Sequence, residues 1–72
     1  MNEIAINTPF IRLDALLKLA GAAGTGGQAK VMVQGGRVAV NGETCLMRGK
    51  KLVFGDEVTV EGDDTVYRVI AG

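Results

Sequence analysis

Hydrophobic positions along this 72-residue chain follow two different periods, one after the other. From Glu3 to Asn7 apolar and polar residues alternate, with Ile4 and Ile6 on one side, which predicts a short strand or extended arm. Leu13, Leu16, Leu17 and Ala20 then recur at helical spacing and define one core-facing stripe. Thr8-Pro9 supplies a helix start, because Thr8 can cap free N–H groups and Pro9 suits the first helical position. Asp14 and Lys18 stand four apart, acid before base, on the opposite side. Gly21 predicts the stop. A second start follows at Thr25-Gly26-Gly27-Gln28, which has capping-box spacing: the Thr25 hydroxyl reaches forward and the Gln28 amide back. This helix runs to about Gln34 on a stripe of Ala29, Met32 and Val33, and Gly35-Gly36 ends it.

Beyond Gly36 the period becomes two. Arg37 to Val40 is rich in β-formers and leads into Asn41-Gly42, a strong two-residue hairpin signal. Glu43 to Leu46 is the predicted return strand, Met47 to Lys51 a basic loop around Gly49, and Leu52-Val53-Phe54 an apolar stretch. Gly55-Asp56 turns the chain into Glu57–Glu61, with Val58 and Val60 inward, and Gly62-Asp63-Asp64 turns it again into a last strand over Thr65–Ile70. The order predicts an α+β fold: two short, packed N-terminal helices followed by a small antiparallel sheet, as a single domain over residues 1–72.

Composition narrows the chemistry. With 47% hydrophobic and 22% charged residues the chain is globular. It has no His, which removes the commonest general base and metal ligand, and one cysteine, Cys45, which reads as a small buried hydrophobe. No apolar run approaches the ~20 residues of a membrane span, and Met1-Asn2-Glu3 lacks the basic opening of a signal peptide. The expectation is a cytoplasmic, monomeric, non-enzymatic module without metal or cofactor.

The net charge of zero conceals a segregation. Between Arg12 and Phe54 seven basic side chains face only Asp14 and Glu43, a surplus of five positive charges; the remainder of the chain carries an equal negative surplus. A basic patch attracts phosphate even when the whole molecule is neutral. Phe10, Phe54 and Tyr67 are the only aromatics. Scattered as they are, they read as core, which favours structured RNA over single strands bound by stacking.

Arg12-Leu13-Asp14…Leu17-Lys18, a Gly-rich turn, Gln28-Ala29-Lys30, Gly36 to Gly42, and Gly55-Asp56 occur in an order that resembles the RNA-binding domain named after ribosomal small-subunit protein S-four. Gly26 to Lys30 and Arg48-Gly49-Lys50-Lys51-Leu52 look like its small, stand-alone bacterial members. The resemblance spans about Pro9 to Val60. It implies a helix–turn–helix-plus-hairpin motif that docks on structured RNA, often ribosomal RNA, in ribosome assembly or translation. Many members carry Arg or Lys near the start of the second helix, where this chain has Gly26-Gly27. These glycines either let backbone N–H groups approach a phosphate or let the two helices pack tightly. Candidate RNA contacts are Arg12, Lys18, Thr25, Gly26, Gly27, Gln28, Lys30, Arg37, Arg48, Lys50 and Lys51, with the cations expected to share one face.

Other readings fit less of the chain. Gly24 to Ala29 fits a dinucleotide fingerprint, yet no strand precedes it and this length holds no parallel sheet of that kind. A DNA-reading helix would need base-reading side chains that Gly26, Gly27, Ala29 and Val31 do not offer. Val38 to Glu43 with Gly55 to Val58 also resembles the ubiquitin-like sulfur carriers, whose chemistry needs a flexible Gly-Gly tail; the chain ends in Ala71-Gly72. A protein-interaction adaptor, docking through the acidic part, is the remaining alternative.

Overall fold

The two ends of the chain lie side by side. In a computed structural model that describes residues 2–72, β1 (Asn2–Ile6) pairs in parallel with β7 (Val66–Ala71), in a register that sets Ile4 beside Val69. Sequence alternation identifies both strands but not their partnership, because parallel strands require a long crossover and here the crossover is the rest of the domain. The main sheet has five strands in the order β1-β7-β6-β3-β4, where β3 is Val38–Val40, β4 Glu43–Thr44 and β6 Glu57–Val60. All pairs but β1–β7 are antiparallel. The fold is therefore α+β with a mostly antiparallel sheet, and its helices sit mid-chain after two strands rather than at the N-terminus.

The first helix starts later than its sequence suggests. Thr8 donates its hydroxyl proton to the Phe10 carbonyl (2.9 Å), and the chain then runs extended as β2 (Ile11–Arg12). Helix α1 spans Leu13–Leu19, its N-cap Arg12 offering no side-chain cap. Two of the free amides are bonded by a distant loop instead: Leu13 N–H donates to the Lys50 carbonyl and Asp14 N–H to the Arg48 carbonyl, each at 2.9 Å. Such long-range capping leaves no local signal, which is why Thr8-Pro9 looked like the start. β2 pairs with β5 (Lys51–Leu52) in a separate two-stranded ribbon, Ile11 opposite Leu52 and Arg12 opposite Lys51.

Helix α2 (Gly26–Gln34) follows the sequence closely. Thr25 Oγ1 accepts from Gln28 N–H at 3.0 Å, and Gln28 Oε1 reaches back to the Gly24 N–H, one residue beyond the usual capping-box donor. Leu13, Leu16 and Leu17 of α1 and Ala29, Met32 and Val33 of α2 join the inward residues of the sheet, among them Val38, Val58 and Val69, in one core. Leu52 belongs to the same core, fully buried, and thereby anchors the ribbon to the body of the domain.

Turn chemistry fixes the far end of the sheet. Asn41 and Gly42 take φ of +52° and +82°, the left-handed pair that a two-residue hairpin requires. Asn41 also bonds the neighbouring turn: its amide nitrogen donates to Asp56 and its amide oxygen accepts from Glu57 N–H. The return strand is shorter than expected, ending at Thr44, although Cys45 N–H still donates to the Val38 carbonyl (2.9 Å). Cys45 itself is half-buried at the margin of the core rather than inside it. Among the described residues no helix is long and apolar enough to cross a membrane.

Candidate nucleic-acid interface

The ribbon, the basic loop and the N-terminal ends of the two helices meet on one side of the molecule. Arg12 and Lys51 occupy directly opposed positions on the ribbon, both exposed, while their neighbours Ile11 and Leu52 point inward. Like charges set opposite one another on a ladder destabilise it, so their direct opposition adds nothing to the fold. Arg12 is partly compensated by Asp14, 3.3 Å away, and its guanidinium lies against Gly49, where an added Cβ would stand 3.2 Å from an Arg12 nitrogen. Lys51 extends its ammonium over the Phe10 ring, 4.7 Å from the centroid.

The carbonyls of Arg48 and Lys50 that bond the start of α1 also clamp the basic loop there. The same helix end is thereby closed to any phosphate. Arg12, Asp14, Ala15, Lys18 and Gly26 line a shallow depression between α1 and α2. Lys30 lies one helical turn beyond Gly26, on the same side of α2, and is exposed. Arg12, Lys18 and Gly26 are thus grouped, with Lys30 one turn further along α2.

Arg37 and Lys50 are not part of that group. Arg37 lines a separate depression on the sheet together with Thr59 and Glu61, and its carbonyl accepts from Glu61 N–H. Lys50 lines a third, with Cys45, Leu46 and Met47 beside β4. The expected single face for all the cations is therefore divided, and both residues lie off its centre. Thr25 and Gln28 are engaged in the α2 cap through the hydroxyl and the amide oxygen.

Gly26 and Gly27 can be separated from the packing explanation. A Cβ built on Gly26 would meet nothing within 4 Å, and one on Gly27 only Thr25 Oγ1 at 3.9 Å. Neither takes a positive φ. Helix packing does not require glycine at either position. Their backbone N–H groups have no hydrogen-bond partner among the described residues.

Acidic side chains in the C-terminal part are largely occupied by the fold. Asp56 accepts from Val53 N–H and from Asn41, and Glu57 pairs with Arg68 at 2.6 Å. Asp63 accepts from Thr65 N–H and from the Tyr67 hydroxyl, both at 2.8 Å. The Thr65 amide and then the Tyr67 hydroxyl hold the Asp63 carboxyl below its ordinary range, and the same bond, with burial, raises Tyr67. By contrast, Lys18, Lys30, Arg37, Arg48, Lys50 and Lys51 form no salt bridge among the described residues. This distribution gives no support to an acidic docking face. The tail needed by a sulfur carrier is also tied down, since Gly72 N–H donates to the Ile6 carbonyl at 2.7 Å.

Of the three aromatics expected in the core, one is there and two are exposed. Tyr67 is core, 6% exposed, but Phe10 is 41% and Phe54 51% exposed, and Val53 beside it 50%. All three flank the ribbon. The phase of the ribbon was the available signal: Phe10 precedes Ile11 as Arg12 follows it, which places Phe10 with the outward residues once Ile11 is inward.

Comparison with known proteins agrees with this architecture. A Bacillus subtilis (strain 168) protein described as "Probable ribosome maturation protein RlbA" is 44% identical over 61 residues, covering 85% of this chain and 86% of that protein. The family model described as S4 domain matches residues 4–70, from β1 through both helices and the ribbon to β7. With nearly its whole length matched, the chain belongs to the S4 domain family.

Proposed function

We propose that this protein is a non-catalytic, monomeric RNA-binding module that docks on structured RNA, ribosomal RNA foremost, during ribosome maturation in the bacterial cytoplasm. Membership of the S4 domain family and similarity to a protein named for ribosome maturation support the coarse assignment. The observation that carries the binding mode is the opposed pair Arg12 and Lys51, exposed on a ribbon where their mutual repulsion serves no structural end.

Duplex RNA presents phosphates and 2′-hydroxyls across a shallow minor groove, so a shape-reading module needs well-placed cations more than base-reading amides. Arg12 offers a planar fork to a phosphate, while Lys18, Lys30 and Lys51 offer flexible point charges. Arg48 supplies a further cation from the loop whose carbonyls bond the start of α1. The free N–H groups of Gly26 and Gly27, at the positive end of the α2 dipole, donate to a phosphate that the missing side chains leave room to approach. Arg37 and Lys50 contribute at the periphery. Thr25 and Gln28 serve by holding the α2 end in place.

The test is the salt dependence of binding to a ribosomal-RNA hairpin. About four phosphate contacts give a slope near −3 in log affinity against log salt concentration. A slope near zero, or no saturable binding at low salt, would overturn the reading.

A further inference from the structure

We infer that the outward face of the β2–β5 ribbon is a stacking site for one unpaired nucleotide, with Phe10 as the platform and Lys51 and Arg12 as its phosphate ligands. This rests on the RNA-binding reading above and adds to it which feature of the RNA is recognised. Phe10 and Val53, just beyond the paired residues Ile11 and Leu52, are both exposed and leave an apolar, partly aromatic surface at the end of the ribbon, and Phe54 in the turn that follows is exposed as well. Lys51 lies over the Phe10 ring and Arg12 stands opposite Lys51, so this apolar surface is continuous with paired cations. An apolar patch framed by cations fits an occupant that is flat, apolar on its faces and negatively charged at its edge. A nucleotide has that chemistry. A uniform duplex does not, since its base faces are all stacked inside.

The geometry also defines how the site opens. In the free protein the Lys51 ammonium covers the ring through a cation–π contact. An arriving phosphate draws this flexible charge aside, and the base takes its place on the ring. Phe10 needs no rearrangement, because Ile11 and Leu52 behind it hold the ribbon against the core.

Two RNA hairpins of one sequence distinguish the possibilities, one fully paired and one carrying a single bulged 2-aminopurine. Wild-type protein binds the bulged hairpin about tenfold more tightly and quenches the 2-aminopurine, the effect expected of one base–aromatic stack. Phe10→Leu, which keeps apolar bulk but removes the π-face, binds both hairpins alike, with the wild-type affinity for the paired one. Equal wild-type binding to both hairpins, unchanged by Phe10→Leu, would overturn the stacking site and leave RNA binding intact. Equal binding together with self-association that Phe10→Leu abolishes would also overturn it, assigning the patch to a second copy of the chain. Binding to neither hairpin would remove the RNA-binding reading itself, and this inference with it.

Discussion

Replacing Arg12, Lys30 and Lys51 together by glutamine lowers affinity for a structured RNA about 100-fold at near-physiological salt. Each lost phosphate contact forgoes the release of most of one counterion, and three such losses multiply. The salt slope should fall in step, from near −3 to near −1. The triple variant keeps its fold, since the three side chains are exposed and none fills the core. Relief of the Arg12–Lys51 repulsion offsets the lost Arg12–Asp14 and Lys51–Phe10 contacts, so the melting temperature should change little. Filter binding across a salt series and a thermal melt check both halves. A variant that binds RNA as tightly as the wild type places the site elsewhere, and one that loses binding only because it unfolds is recognised by the melt.

Leu52→Ala has the largest expected effect on stability. Leu52 is fully buried, and its strand contributes only two residues to the ribbon, so few neighbours can collapse into the space left. A cost of about 3 kcal/mol is expected for such a truncation. A domain of this size has about 4–11 kcal/mol in total, so the loss is a large share, corresponding to a fall in melting temperature of about 12–24 °C. Calorimetry measures it directly. RNA affinity should fall as well below the melting point, because Lys51 and the loop clamped by the Lys50 carbonyl depend on this anchor. The exposed Val53→Ala, one residue on, should shift the melting temperature far less.

Local chemistry was legible in the sequence and long-range pairing was not. The α2 cap at Thr25, the stripe of Ala29, Met32 and Val33, and the Asn41-Gly42 hairpin all depend on residues within a few positions of one another, and each is formed as read. The parallel partnership of β1 and β7 depends on segments at opposite ends of the chain. The start of α1 depends on carbonyls of Arg48 and Lys50, more than thirty residues away in the chain. The helical spacing that follows Ile11–Arg12 hides the ribbon, and with the ribbon the exposure of Phe10 and the opposition of Arg12 to Lys51. The cations were identified by type, but their grouping was set by topology: Lys18 and Gly26 meet in one depression while Arg37 sits with Glu61 in another.

Charge segregation along the chain has a structural counterpart. Asp56, Glu57 and Asp63 are used in turns and in the pair with Arg68, where each bonds a backbone amide or a partner side chain. The basic residues between Arg12 and Lys51 support little of the fold through their side chains. The proposed RNA-binding reading draws on the cations that this arrangement leaves without acidic partners.

Backbone amide chemical shifts, followed by NMR while a bulged ribosomal-RNA hairpin is titrated in, test the central claim most directly. Saturable shifts centred on Arg12, Lys18, Gly26, Gly27, Lys30, Arg48 and Lys51, with Glu57 to Ile70 nearly still, are the predicted result. Shifts centred on the β6–β7 surface, or none at all with RNA in excess, would contradict it.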